Sequence, residues 1–278
     1  MIVRNQLRLQ IVTIVITVIL LLIMLFPFFV MISTMFRASQ EVYAYPTYWI
    51  PKHPTFNNFV KVWSEYKLFR YFRNSIIVAF GTTALTTVIC IPAAYAVARF
   101  RFPGRHPILY MLLIMQMFSP VIIVISLFKI YVRFALLDSF RGLIIANTVF
   151  ALSFTIWLMF GYFSSIPNEI EDAARIDGCN RMATLLRIMI PIAAPGLVTA
   201  MIYTFILAWN DFLFALSFIK AQVKMPLTLG IYQFVGRWST QWEMLTVAAF
   251  LALIPVLVLF YLIEKQLVAG LAGGAVKG

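Results

Sequence analysis

Residues Pro167 to Pro195 read PNEIEDAARIDGCNRMATLLRIMIPIAAP, the one long polar insert in a chain that otherwise reads as lipid-soluble helices. Seven of its side chains are charged: Glu169, Glu171, Asp172, Arg175, Asp177, Arg181 and Arg187. A membrane protein keeps such a segment in water, where a soluble partner can reach it. Local chemistry predicts a short helix. Asn168 offers an N-cap, and Glu171 stands three residues later in the capping-box position. Glu169, Glu171 and Asp172 crowd the first turn, where the helix dipole favours negative charge. Glu171 and Arg175 are spaced i,i+4 in the favourable order. Gly178 is the expected C-terminal stop. Ile170, Ala173, Ala174 and Asp177 are expected on one side, with the alanine pair leaving it flat for a close approach. Charge pattern alone fits an ordinary amphipathic connector equally well.

Working outward, apolar residues make up 63% of the chain and charged ones 12%. Soluble domains carry about 25% charged residues, so this chain belongs in a bilayer. A span needs roughly 20 mostly apolar residues. Six segments qualify, near Leu9–Ser33, Ser75–Ala98, Ile108–Ile130, Leu143–Phe163, Ile192–Phe218 and Leu245–Ile263. The fold class is therefore all-α, a polytopic membrane protein with six transmembrane helices. The first apolar run exceeds the 7–15 residues of a signal-peptide core and reads as a retained anchor. Pro92, Pro120, Pro191, Pro195 and Pro255 lie in or beside spans and predict kinks.

Charge narrows the function classes. The net charge of +12 sits beside spans, where anionic headgroups attract it, and no basic stripe with interleaved aromatics points to nucleic acid. No glycine is followed by Lys and then Ser or Thr, so the chain has no phosphate loop and is not expected to hydrolyse ATP. His53 and His106 are isolated, and no metal site or catalytic residue is expected.

The insert also carries a spaced motif. Asp172-Ala173-Ala174, then Gly178, then Ile188-Met189-Ile190-Pro191 resembles the EAA loop of ABC importer permeases, written E-A-A-x3-G-x9-I-x-L-P, with Asp for Glu and Ile for Leu. Asn74-Ser75, the run Tyr95 to Phe100, Phe102-Pro103-Gly104-Arg105, Ile176-Asp177-Gly178, Ala208-Trp209-Asn210-Asp211-Phe212 and the small-residue tail ending Lys277-Gly278 resemble carbohydrate-importer permeases. Together these landmarks resemble the smaller, maltose-type permease of a binding-protein-dependent inner membrane system.

That resemblance implies a type I ABC importer permease core. The expected division is 1–70 as N-terminal anchoring span and outer segment, 71–265 as transmembrane core with the EAA coupling loop, and 266–278 as cytoplasmic tail. It implies ATPase coupling through Glu171, Asp172, Ala173, Ala174, Arg175, Asp177 and Gly178, with Lys277 as a tail contact. Expected partners are a second, non-identical permease, an ATPase dimer, an extracytoplasmic sugar-binding protein and the bilayer. ATP and Mg belong to the ATPase subunits, and no cofactor is expected on this chain. The location implied is a bacterial or archaeal plasma membrane (the inner membrane in a Gram-negative cell), multi-pass, with both termini cytoplasmic. The Arg99, Arg101, Arg105 cluster agrees with that orientation, although a tally of all cations does not decide it. A sugar is the implied cargo, with polyols and glycerol phosphates still open.

Trp209, Asn210 and Asp211 are candidates for the translocation path. An ionisable group inside hydrocarbon faces a cavity or a partner by default. Asp211 also suits a hydrated interface or the cap of a neighbouring helix. A secondary transporter or channel using Asp211 is the rival reading, and it leaves the EAA loop unexplained. Lys220–Glu243 reads as an outer, turn-rich connector, with Gln233, Arg237 and Trp238 as candidate contacts for a binding protein.

Overall fold

The computed structural model describes the backbone of residues 2–46, 48–236 and 239–275, and side chains over 10–46, 48–236 and 239–261. In chain order the helices are α1 Ile2–Met35, α2 Ser39–Val42, α3 Asn57–Ser64, α4 Leu68–Arg99, α5 Arg105–Met117, α6 Pro120–Arg133 and α7 Phe140–Ser165. They continue as α8 Asn168–Ile176, α9 Arg181–Thr184, a π-helical turn Leu185–Met189, α10 Ile190–Ile192, α11 Ala194–Trp209, α12 Leu213–Phe218, α13 Leu227–Tyr232 and α14 Trp242–Ala275. The β structure among the described residues is one isolated bridge, Val235 to Thr240.

Four helical stretches are long and apolar enough to cross a membrane: Gln10–Met35, Leu68–Arg99, Phe140–Ser165 and Trp242–Tyr261. Two helix pairs are also long and apolar enough when taken together, each bent sharply at a short break. Arg105–Met117 meets Pro120–Arg133 at 102°, and Arg181–Ile192 meets Ala194–Trp209 at 82°. Ile108–Ile130 is thus not one continuous helix. Ser119 precedes a proline and takes the extended backbone that proline imposes on its neighbour (ψ 128°). Nor does Ile192–Phe218 run unbroken, because α11 stops at Trp209 and α12 starts at Leu213. Pro92 and Pro255 stay inside α4 and α14 without ending them. Leu227–Tyr232 is helical where a turn-rich loop was expected.

The chain divides into two compact units. One comprises residues 1–68 and 231–253. Its α1 leaves Ile, Leu and Val side chains exposed from Ile11 to Leu25 on every side, as suits a helix surrounded by lipid. Polar bonds organise the segment after it. Asn58 Nδ2 donates to the carbonyls of Met35 (2.9 Å) and Arg37 (2.8 Å), and Ser39 donates to the buried Glu243 at 2.6 Å.

The other unit comprises residues 69–230 and 254–278. Helix α7 runs through both of its apolar clusters. Ile156, Met159 and Phe163 pack with Ala94, Tyr95, Leu185 and Met189. Leu143 and Ala146 pack with Val78, Tyr131, Phe214 and Phe218. Helices α7 and α11 approach closely at Gly196, where a Cβ would lie 2.3 Å from the Tyr162 ring, so only glycine fits. Asn74 and Ser75 are buried on α4 and secure the segment before α13. Asn74 Nδ2 donates to Val223 and Met225 carbonyls, both at 2.9 Å, and Ser75 Oγ accepts from Leu227 N–H at 2.7 Å.

Candidate functional site

Helix α8 forms where the sequence places it, but its start is built differently. The N-cap is Pro167, in extended backbone (ψ 143°), and it makes no side-chain cap bond. Asn168 is already the first helical residue, and its Oδ1 accepts from Arg99 Nη1. Glu171 does not turn back to close a capping box. It is 4% exposed, and its carboxylate lies 2.8 Å from Arg99 Nε. A charge-assisted contact with a guanidinium outweighs a single backbone cap. Arg175 reaches the other Glu171 oxygen at 3.7 Å and Asp172 at 3.2 Å.

These contacts differ in weight. The Arg99 and Glu171 side chains are 7% and 5% exposed, whereas those of Arg175 and Asp172 are 55% and 64% exposed. Removing one member of a buried pair strands a charge and costs about 3–5 kcal/mol. An exposed pair contributes about 0–1 kcal/mol. Arg99, Arg101, Arg105, Glu171, Asp172 and Arg175 together line a polar cavity of about 340 Å³.

The far end of α8 closes as expected. Gly178 has φ +82°, a conformation that favours glycine. Gly178 N–H donates to Arg175 O (3.0 Å) and Cys179 N–H to Ala174 O (2.9 Å), the paired bonds of a Schellman stop. A Cβ on Gly178 would meet no atom within 4 Å, so its requirement is conformational. The expected flat alanine side is split, however. Ala174 is buried and Ala173 is exposed, because successive helical residues turn by about 100°. The outward face is instead Asp172, Ala173, Ile176 and Asp177, with Ile176 87% exposed.

Trp209, Asn210 and Asp211 separate into distinct environments. Trp209 is buried, stacked on Phe205 and edge-on to Phe72. Asn210 is exposed. Asp211 Oδ1 accepts from Phe214 N–H at 3.1 Å, which caps the start of α12, and Oδ2 accepts from Asn147 Nδ2 of α7 at 3.3 Å. Its carbonyl accepts from Thr228 Oγ1 of α13 at 2.6 Å. Asp211 thus joins three helices where the apolar run breaks. Asn147, Asn210 and Asp211 line an open cavity of about 390 Å³, with apolar walls that include Phe150, Phe212 and Leu213.

Another carboxylate organises a loop. Asp138 Oδ1 accepts from Lys220 N–H (3.1 Å) and Ala221 N–H (2.9 Å), and Lys224 Nζ lies 3.2 Å from Oδ2. The Ala221 N–H above all, with Lys224 and the Lys220 N–H, holds its carboxyl below the usual aspartate range against the opposing effect of burial.

Sequence reasoning did not place Arg99, Asn147 or Thr228 in these sites. A polar Asn inside the apolar run Leu143–Phe163 was the available signal for Asn147. Lys277, Arg237 and Trp238 lie outside the described residues, and Gln233 is exposed.

Known proteins resemble this chain in sequence and in fold. The sulfoquinovosyl glycerol transport system permease protein SmoH of Agrobacterium fabrum is 35% identical over 254 residues, covering 91% of this chain and 89% of that protein. The trehalose/maltose transport system permease protein MalG of Thermococcus litoralis is 32% identical over 278 residues, covering 99% of each. A chain in the crystal structure of a bacterial ABC transporter involved in the import of the acidic polysaccharide alginate shares the fold, with a TM-score of 0.83, 23% identity and coverage of 94% of this chain and 97% of that one. The family profile described as binding-protein-dependent transport system inner membrane component matches residues 90–272. The chain with the Schellman-capped α8 and the interrupted fifth span therefore belongs to that family, as a multi-pass permease subunit of an ABC importer.

Proposed function

We propose that the chain carries a sugar or a closely related polyhydroxyl cargo, and that α8 is its coupling helix. The observation that carries the coupling reading is α8 itself: an exposed face of Asp172, Ala173, Ile176 and Asp177 on a helix anchored from behind by a buried ion pair. Such a helix presents a fixed surface to a soluble ATPase. The cargo reading rests on the relatives, whose names specify a sulfoquinovosyl glycerol carrier and a trehalose/maltose carrier. The polar cavity wall at Asn210 and Asp211 suits hydroxyl recognition.

In this reading residues 71–265 act as the transport core, behind an anchoring segment 1–70 and ahead of a tail 266–278. A second permease completes the path, an ATPase dimer binds ATP and Mg, and a loaded binding protein delivers cargo. Lys277 contacts the ATPases. Closure of the ATPases moves α8, and the permease spans follow as rigid bodies. Both termini face the cytoplasm.

Gly178 gives the test of coupling. Gly178→Ala and Gly178→Trp carry the same backbone strain, but only Trp adds bulk beside the outward face. In the reconstituted importer, Trp uncouples ATP hydrolysis from trehalose uptake or releases the ATPases, whereas Ala keeps most coupling. Normal assembly and coupled uptake in Gly178→Trp remove the coupling role. Trehalose is the probe for cargo, and identification of the ligand that co-purifies with the native binding protein tests the sugar class. For orientation, cysteines at Asn57 and Gln233 label from outside, and those at Asn180 and Lys277 only after permeabilisation. The reverse pattern overturns the orientation.

A further inference from the structure

Arg99 is the last residue of α4, and its guanidinium engages the turn between α7 and α8 through all three nitrogens. Nη2 donates to the carbonyl of Ile166, the C-cap of α7, at 2.7 Å. Nη1 donates to Asn168 Oδ1, on the first residue of α8. Nε lies 2.8 Å from the Glu171 carboxylate, in the next part of the same helix. One planar group therefore ties together the ends of two long spans and the start of α8.

Apart from Arg99, helix α8 is held by a small apolar contact, with Ile170 half-buried against the cluster of Tyr95 and Phe163. Of its nine residues, Glu171 and Ala174 are buried. So short a helix is not stable by itself in water and takes its orientation from what it packs against. Covalently, α8 continues only from α7 and into α9, and α4 lies far away in sequence. The guanidinium supplies a link from α4: its two terminal nitrogens donate to Asn168 and Ile166, and Nε makes a close ionic contact with Glu171 that is not a hydrogen bond. A lysine ammonium is a single point charge on a flexible stem and cannot reproduce that geometry.

We infer that Arg99 is a positioning residue for energy coupling: it makes α8, the end of α7 and the end of α4 move as one body. Displacement of α8 then reaches α4 directly as well as passing along the chain. The inference rests on the reading of α8 as the coupling helix. Arg99 itself touches neither nucleotide nor cargo.

The complete importer, with permease pair, ATPases and binding protein, is the system for the test. Spin labels are placed at Asp177, past the end of α8, and at Arg101, just past α4, in a background lacking Cys90 and Cys179. A third label on the ATPase reports docking. With Arg99 present, the Asp177 to Arg101 distance distribution is narrow and unchanged between nucleotide-free and ATP-vanadate states. Arg99→Lys and Arg99→Ala broaden it, with Ala affected more, and binding-protein stimulation of ATP hydrolysis falls about 5-fold or more. Glu171→Gln, which keeps shape and removes charge, broadens it in an assembly that retains normal subunit content. A narrow, unchanged distance in Arg99→Lys and Glu171→Gln overturns the inference. Assembly loss in Arg99→Ala, with an unaltered distance and stimulation in Arg99→Lys, overturns it equally, since the role is then structural only. If the wild-type ATPase label does not stay with α8, the coupling reading fails instead, whatever Arg99 does.

Discussion

At α8, a buried carboxylate is met by a full counter-charge, with Arg99 2.8 Å from Glu171. At the break after α11, the half-buried Asp211 makes no ion pair among the described residues. Its carboxylate is held by neutral donors, among them the Phe214 N–H at 3.1 Å and the Asn147 amide at 3.3 Å. Both knots join three helices of the same unit. The first gathers α4, α7 and α8; the second gathers α7, α12 and α13 through Asn147, Phe214 and Thr228. They teach that position along the span decides the chemistry. Near a water-facing helix end, two charges can be brought together and shielded. Within the apolar stretch, the chain uses dipoles and frees them by ending one helix and starting another. The ionic knot is consequently intolerant of losing a partner, and the dipolar knot is tolerant of losing its charge.

The largest expected effect breaks the ionic side. Glu171→Ala strands Arg99 and costs about 3–5 kcal/mol, read as a lower thermal midpoint of the purified permease complex. A cost equal to that of Asp211→Asn would erase the contrast. Next comes Asp211→Leu, which leaves Phe214 N–H and the Asn147 amide without their acceptor and costs about 1–3 kcal/mol by the same measurement. Asp211→Asn keeps an acceptor and stays within about 1 kcal/mol of wild type. If the cavity at Asp211 is the path, Leu lowers trehalose uptake more than Asn with assembly preserved. If it serves the permease interface, Leu lowers assembly instead. Asp172→Asn follows, with about 0–1 kcal/mol because its pair with Arg175 is exposed, and salt abolishes the difference.

The smallest effect is a pH dependence at Asp138. Its folded carboxyl titrates below its unfolded value, so its contribution is present above the unfolded value and is lost as pH falls through the folded one. Asp138→Asn is expected to be less stable than wild type by a constant amount above about pH 4, a difference that shrinks as pH falls below it. A difference that persists unchanged down to pH 2 would remove the titration from the explanation.

Much of this was legible from local spacing. Helix α8 and its stop at Gly178 follow from residues a few positions apart, and φ +82° is the physical requirement behind the glycine. Asp211 and Phe214 are likewise three apart, so a cap was among the readings open for Asp211. The capping box at Asn168 and Glu171 failed because their partner, Arg99, arrives from a distant helix. Hydropathy found the spans and missed their breaks, since apolar residues continue on both sides of the 102° bend. The dipeptide Ser119-Pro120 was the one local sign, and it encodes backbone shape rather than solubility.

The π-helical turn Leu185–Met189 lets the helix around it hold one residue more than an α-helix needs there. A π turn holds its hydrogen bonds one residue wider than an α turn. Removing one residue there would let the backbone relax to ordinary helix with its bonding intact and the phase between α9 and α10 nearly kept, because the wider turn takes up the extra residue. Leu186 is 55% exposed, so its deletion would remove little packing. Loss of one residue in this turn is thus absorbed by a change of helix type, whereas the outward side of α8 stays set by the contact of Glu171 with Arg99.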